Sequence, residues 1–175
     1  SLVGLLAVGC DTGGTTELST YEQVENLFVE SCSSEHCHGG PGTGLSGINF
    51  QRALEQGKSV GAALMALDGS ERPACQYDLM PVLDPGNADN SWVMVKIAAA
   101  HDADGWIQFT PDAAWDPGIT PDGDGSYPPS ACPMTSDGEI VFGQVMPFSA
   151  AGGAPLTDSE IALVRSWIDD GAEGP

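Results

Sequence analysis

The segment Cys32-Ser-Ser-Glu-His-Cys37-His38 sets two cysteines with four residues between them and puts a histidine directly after the second. A Cys-x-x-Cys-His run marks the attachment of c-type haem: both thiols add to vinyl groups of the ring as thioethers, and the adjacent imidazole coordinates the iron from one face. Here the spacer is four residues rather than two, so the loop must bulge while its ends still reach the same two vinyls. The same residues serve two other chemistries. Thiolates with an imidazole are a zinc donor set, and two nearby cysteines can close a disulfide. The rest of the chain has to decide among the three.

What flanks the segment favours a ring-shaped ligand. Ser19-Thr-Tyr-Glu22 has the spacing of a capping box, and Val24, Leu27, Phe28 and Ser31 follow at helical intervals, with Glu22, Glu25 and Glu30 mostly on the other face. The spacing predicts a helix from Ser19 running into Cys32 and holding the loop at its C-terminal end. After His38 comes Gly39-Gly-Pro-Gly-Thr-Gly44, where glycine lets backbone lie close to a flat ring. It is not a phosphate loop, because it lacks Lys-Ser/Thr and a preceding strand. Leu45 to Phe50 should extend over the ring edge. Residues 51–66 read as a short helical pair broken at Gly57. Asp84-Pro-Gly-Asn-Ala-Asp-Asn-Ser91 reads as a turn leading to a helix cap, and Trp92 through the three alanines 98–100 as a helix of about ten residues with Trp92 and Ile97 in the core.

The chain has 175 residues, enough for one domain with a real core. Its 23 glycines and 13 prolines demand much loop. A net charge of −20, with only Arg52, Lys58, Arg72, Lys96 and Arg165 basic, argues against nucleic acid and anionic lipid as partners and suits a basic one. Residues 101–140, rich in Asp, Gly and Pro, read as a long acidic surface insertion. Within it, Asp102-Ala-Asp-Gly105 and Asp122-Gly-Asp-Gly125 resemble fragments of calcium loops, but neither has the full spacing with a closing Glu. Solvated acidic turns are the simpler reading and calcium the alternative.

Residues 1–9 resemble the end of an apolar signal segment, and Val8-Gly9-Cys10 resembles the end of a bacterial lipobox. That resemblance implies a lipid on Cys10, with Asp11 to Thr16 as a flexible tether. The expected organisation is residues 1–18 as signal remnant and tether, and 19–175 as a single domain carrying the insertion.

The last segment supplies the second anchor. Met146-Pro-Phe148 precedes Thr157-Asp-Ser-Glu160, another capping box, and Ile161, Val164, Trp167 and Ile168 then form an apolar stripe that Gly171 ends. The order of helix, Cys/His loop, middle helices, Met-Pro loop and terminal helix resembles the monohaem class I cytochromes c. The residues that carry the likeness are Cys32, Cys37, His38, Met146-Pro147, Pro85-Gly-Asn-Ala-Asp-Asn-Ser91, and Leu156-Thr-Asp-Ser-Glu-Ile161 through Trp167-Ile-Asp-Asp-Gly-Ala172. It covers residues 19–100 and 141–172 and omits the acidic insertion.

The resemblance implies an all-α fold: cytochrome c-like helices around one covalently bound haem, with long Gly/Pro/Asp-rich loops. It implies thioethers on Cys32 and Cys37, with His38 and Met146 as iron ligands. Met80-Pro81 copies the dipeptide but lies before the middle helix; His101 and Met134 are the other candidates, while Met65 and Met94 are core filler and His36 is an exposed loop residue. Cys75 and Cys132 are left over, and two leftover cysteines in an extracytoplasmic protein pair as a disulfide.

The implied function is electron transfer by a non-enzyme on the periplasmic side of a bacterial membrane, lipid-anchored, serving a redox partner with a basic docking surface. The alternative is a fixed haem-bearing subunit or scaffold of a membrane oxidoreductase or photosynthetic complex.

Overall fold

A computed structural model describes residues 17–35, 37–41, 47–66, 69, 71–74, 76–77, 79–108, 142–147 and 154–174. Outside the described residues lie Cys10 and the tether, His36, half of the glycine-rich loop, Cys75, Cys132, Met134, the 122–125 turn and most of the acidic insertion.

Five helices carry the described fold: α1 (Thr20–Cys32), α2 (Phe50–Glu55), α3 (Val60–Leu64), α4 (Trp92–Ala98) and α5 (Asp158–Asp169). Among the described residues there is no strand, only the isolated bridges Pro73–Pro81, His101–Ile107 and Trp106–Gln144. No described helix is long and apolar enough to cross a membrane.

Both long helices start where the capping boxes predict. The Ser19 hydroxyl accepts the Glu22 N–H while Glu22 accepts the Ser19 N–H at 2.8 Å, and Thr157 and Glu160 repeat the exchange. α5 ends in a Schellman pattern: Gly171 N–H bonds to Ile168 O and Ala172 N–H to Trp167 O, each at 2.9 Å, with Gly171 at φ +104°. α1 and α5 pack together, and α5 also contacts α4. Phe28 sits between the rings of Phe50, edge-on at 5.1 Å, and Trp167 at 6.5 Å. Such pairs add about 0.5–1.5 kcal/mol beyond the area they bury.

The middle of the chain departs from expectation in three ways. α4 stops at Ala98, because Ala99 turns to ψ 148°; the three alanines do not all join it. Ser91 precedes α4 but makes no side-chain cap bond. Its hydroxyl accepts the Asp84 N–H at 2.9 Å and donates to Asn87 O at 3.0 Å, so it closes the Pro85–Gly86 turn instead. The start of the expected surface insertion is not merely surface. Residues 101–107 turn back on themselves and pair with 142–145, and Ile107 is buried in the core.

Candidate functional site

α1 delivers Cys32 as its last residue, and the loop beyond is closed by backbone bonds. His38 N–H donates to Cys32 O at 3.2 Å, bridging the base of the loop. Inside it, Ser34 O accepts from both Cys37 N–H at 3.0 Å and Gly39 N–H at 3.1 Å. The two ends of the loop are therefore tied together despite the four-residue spacer. Gly39 is required here for a reason internal to the loop: a Cβ would fall 2.0 Å from Ser33 O.

His38 is buried, and its ring meets Phe50 edge-on at 5.5 Å. Its Nδ1 lies 3.2 Å from Ile48 O. A carbonyl can only accept, so Nδ1 carries the proton, and in the neutral ring Nε2 carries the lone pair. That is how proteins orient a metal-ligating imidazole. Asn49 supports the same wall. Its side-chain oxygen caps α2 at Arg52 N–H, 2.8 Å, while its amide donates to Gly40 O at 3.1 Å.

Cys32, His38 and Met146 line one cavity that is partly open to solvent. Phe28, Ile48, Phe50, Leu64, Val82, Val93 and Ile97 make most of its wall apolar. Cys37 is half-buried and does not line the cavity, although its thiol is close enough to act on Cys32. Burial, and secondarily Cys37, pushes the Cys32 thiol up to about 12.

The other candidates are elsewhere. Met80 and Met94 are buried in the core, and Met65 packs against it. His101 is exposed, its Nδ1 3.2 Å from Ala99 O, beside a separate cavity. Cys32 and Cys37 are free thiols, not joined to each other. Among the described residues no group of three or more His, Cys, Asp or Glu side chains is arranged to hold a metal ion. At the first calcium-like turn, Asp102 spends one carboxylate oxygen on the N–H groups of Asp104 and Trp106, at 3.0 and 2.9 Å, as an ordinary acidic turn does.

Polar groups in the wall test whether haem fits. The Trp92 indole N–H is buried without a hydrogen-bond partner among the described residues, and Trp92 lines the cavity. Leaving such a donor unpaired costs about 1–3 kcal/mol. In a chain of net charge −20 with five basic residues, two of them, Arg72 and Lys96, also line it, as does Gln76. Burial pulls Lys96 down to about 8. An apolar cavity with thiol, imidazole and thioether in its wall, plus a guanidinium and an orphan donor, has the chemistry to suit a flat apolar ring bearing carboxylates. The chain matches no family model, no curated protein and no solved structure.

Sequence reading missed Asn49, the Ile48 carbonyl, Trp92 N–H and Lys96. Asn49 carried a usable signal, an Asn just before a helical run. A carbonyl partner carries none, because every residue has one.

Proposed function

We propose that this chain is a monohaem c-type cytochrome domain that carries single electrons. The observation that carries the reading is the cavity itself: Cys32, His38 and Met146, from sites as far apart as α1 and the segment before α5, line one largely apolar chamber. Haem bound there would supply one-electron iron chemistry. Cys32 and Cys37 would tether the ring. A thioether is neutral, which suits a buried sulfur whose thiolate is strongly disfavoured. His38 Nε2 and the Met146 sulfur would hold the iron, and the Trp92 N–H and Arg72 would meet the ring's carboxylates.

Two protein ligands leave no position for a substrate, so the reading is a carrier rather than an enzyme. Thioether ligation favours a higher potential, and the acidic surface favours brief encounters with a basic partner. The lipobox resemblance at Cys10 supports an extracytoplasmic, lipid-anchored location, and the leftover count supports a Cys75–Cys132 disulfide.

The test is expression in cells equipped for c-type haem attachment, followed by a pyridine haemochrome spectrum and intact mass. The expected product carries one haem through two thioethers. A chain of unmodified mass from such cells removes the proposal.

A further inference from the structure

Met146 sits in a segment, 142–147, that packs on α4 through the Phe142 ring, 5.9 Å from Trp92, and is hydrogen-bonded to α4 by Lys96. The described residues 142–147 form no helix, and their bonds to 101–107 attach them only to another loop: Ile107 N–H to Gly143 O at 3.0 Å and Val145 N–H to Gly105 O at 2.8 Å. Lys96 of α4 holds the segment at both ends. Its side-chain Nζ donates to Phe142 O at 3.1 Å, and its own carbonyl accepts the Met146 N–H at 2.6 Å. That carbonyl is available because α4 ends at Ala98, which leaves the carbonyls of its last turn without helical partners. The fit over the amine is close: a Cβ on Gly143 would lie 3.0 Å from Nζ.

Lys96 is 7% exposed. Burying an ammonium there carries a desolvation cost that a methionine or leucine of similar length would avoid. Val95 and Ile97, its neighbours in α4, are apolar and buried. We infer that Lys96 is a positioning residue for Met146, fixing the two ends of 142–146 so that the thioether is presented to the cavity. This rests on the proposed haem ligation. It assigns to α4 a task that the Met-Pro dipeptide alone does not perform.

The experiment uses haem-loaded protein. Lys96→Met keeps the stem and the backbone bond but removes the tie to Phe142. The expected result is an unchanged haemochrome, loss of much of the weak long-wavelength band of thioether-ligated ferric haem, and cyanide binding at least about tenfold faster, in keeping with the loss of one charge-assisted hydrogen bond. Lys96→Arg, which keeps a cationic donor, should recover part of the band. Val95→Ala, a packing loss on the same helix, should lower stability and leave the band intact. If Lys96→Met yields no haem-loaded protein, Lys96→Gln, whose amide ends one bond short, takes its place with the same expected loss. The inference is overturned if the Met or Gln variant keeps the wild-type band and cyanide kinetics, or if Val95→Ala loses the band equally. Wild-type protein without haem overturns the proposed function itself, and this inference with it.

Discussion

The two walls of the cavity are built on opposite plans. The histidine wall is local: Cys32, His38, Ile48 and Phe50 bond to one another within 19 residues of chain, ending with Phe50 N–H on His38 O at 2.8 Å. The methionine wall is assembled from afar: Lys96, Asp104, Gly105 and Ile107 grip residues 142–146, with Gln144 donating to Asp104 O at 3.0 Å. A local wall forms as soon as its own segment folds. An assembled wall exists only when distant elements are already in place, so it is the one expected to open.

Replacing the proposed ligand on each wall should separate the two plans most sharply. His38→Ala should abolish stable haem incorporation, read as loss of the haemochrome signal, because on the proposed reading the local wall would hold both the tether and one iron ligand. Met146→Ala should keep the haem, lower the potential and admit cyanide readily. Equal haem loss from both variants would show that the walls are not independent.

Gly39→Ala attacks the local wall without touching a donor atom. The added Cβ meets Ser33 O at 2.0 Å, a contact that only a backbone shift can relieve. That shift would break the paired bonds on Ser34 O, so haem attachment should fall severalfold while helical content stays near wild type. Full attachment in this variant would mean the loop is freer than its hydrogen bonds imply.

Met80→Ala tests whether the first Met-Pro dipeptide is core alone. Met80 is 4% exposed and lies in the hydrophobic cluster rather than at the cavity. Truncating a buried methionine costs about 2–5 kcal/mol. Denaturant unfolding should register that loss while the thioether band stays. Loss of the band with stability intact would move the ligand to Met80.

This asymmetry also explains which features the sequence disclosed. The capping boxes at Ser19 and Thr157, the break at Gly57 and the Cys32 end of α1 are local signals, and each appears where its spacing predicts. The errors fall where long-range contacts rule. Ala99 and Ala100 have high helix propensity, yet the chain leaves α4 there to run into the 101–107 turn, where Gln108 N–H bonds back to Ala100 O at 2.8 Å. Ile107 looks like part of an acidic loop until its partner Gly143, 36 positions on, is seen to bring it into the core. Lys96 could not be read as buried, since on a helix of seven residues nothing local distinguishes it from a solvated lysine.

The smallest effect concerns the helices behind the walls rather than the walls themselves. Thr157→Ala removes the cap of α5, worth about 1 kcal/mol, which shifts the melting temperature by about 2–4 °C in a domain of this size. Ser19→Ala does the same kind of damage to α1. Neither should alter the haem spectrum, because both caps are exposed and neither lines the cavity. The partner carboxylates give a pH signature. Glu160 is held below the usual carboxylate range by the Thr157 backbone N–H and then its hydroxyl, and Glu22 by the Ser19 hydroxyl and then its N–H. With folded values depressed, the stabilisation is complete above the ordinary carboxylate pKa of about 4.3 and is lost as pH falls through the folded value. Both groups are solvent-exposed, so the contribution is small and weakens further with salt. The stability advantage of wild type over Glu160→Gln should therefore shrink on acidification from about pH 6 to about pH 3. A difference that stayed constant over that range would mean that the glutamine caps as well as the carboxylate, and that α5 is held by α1 and α4 rather than by its own first turn.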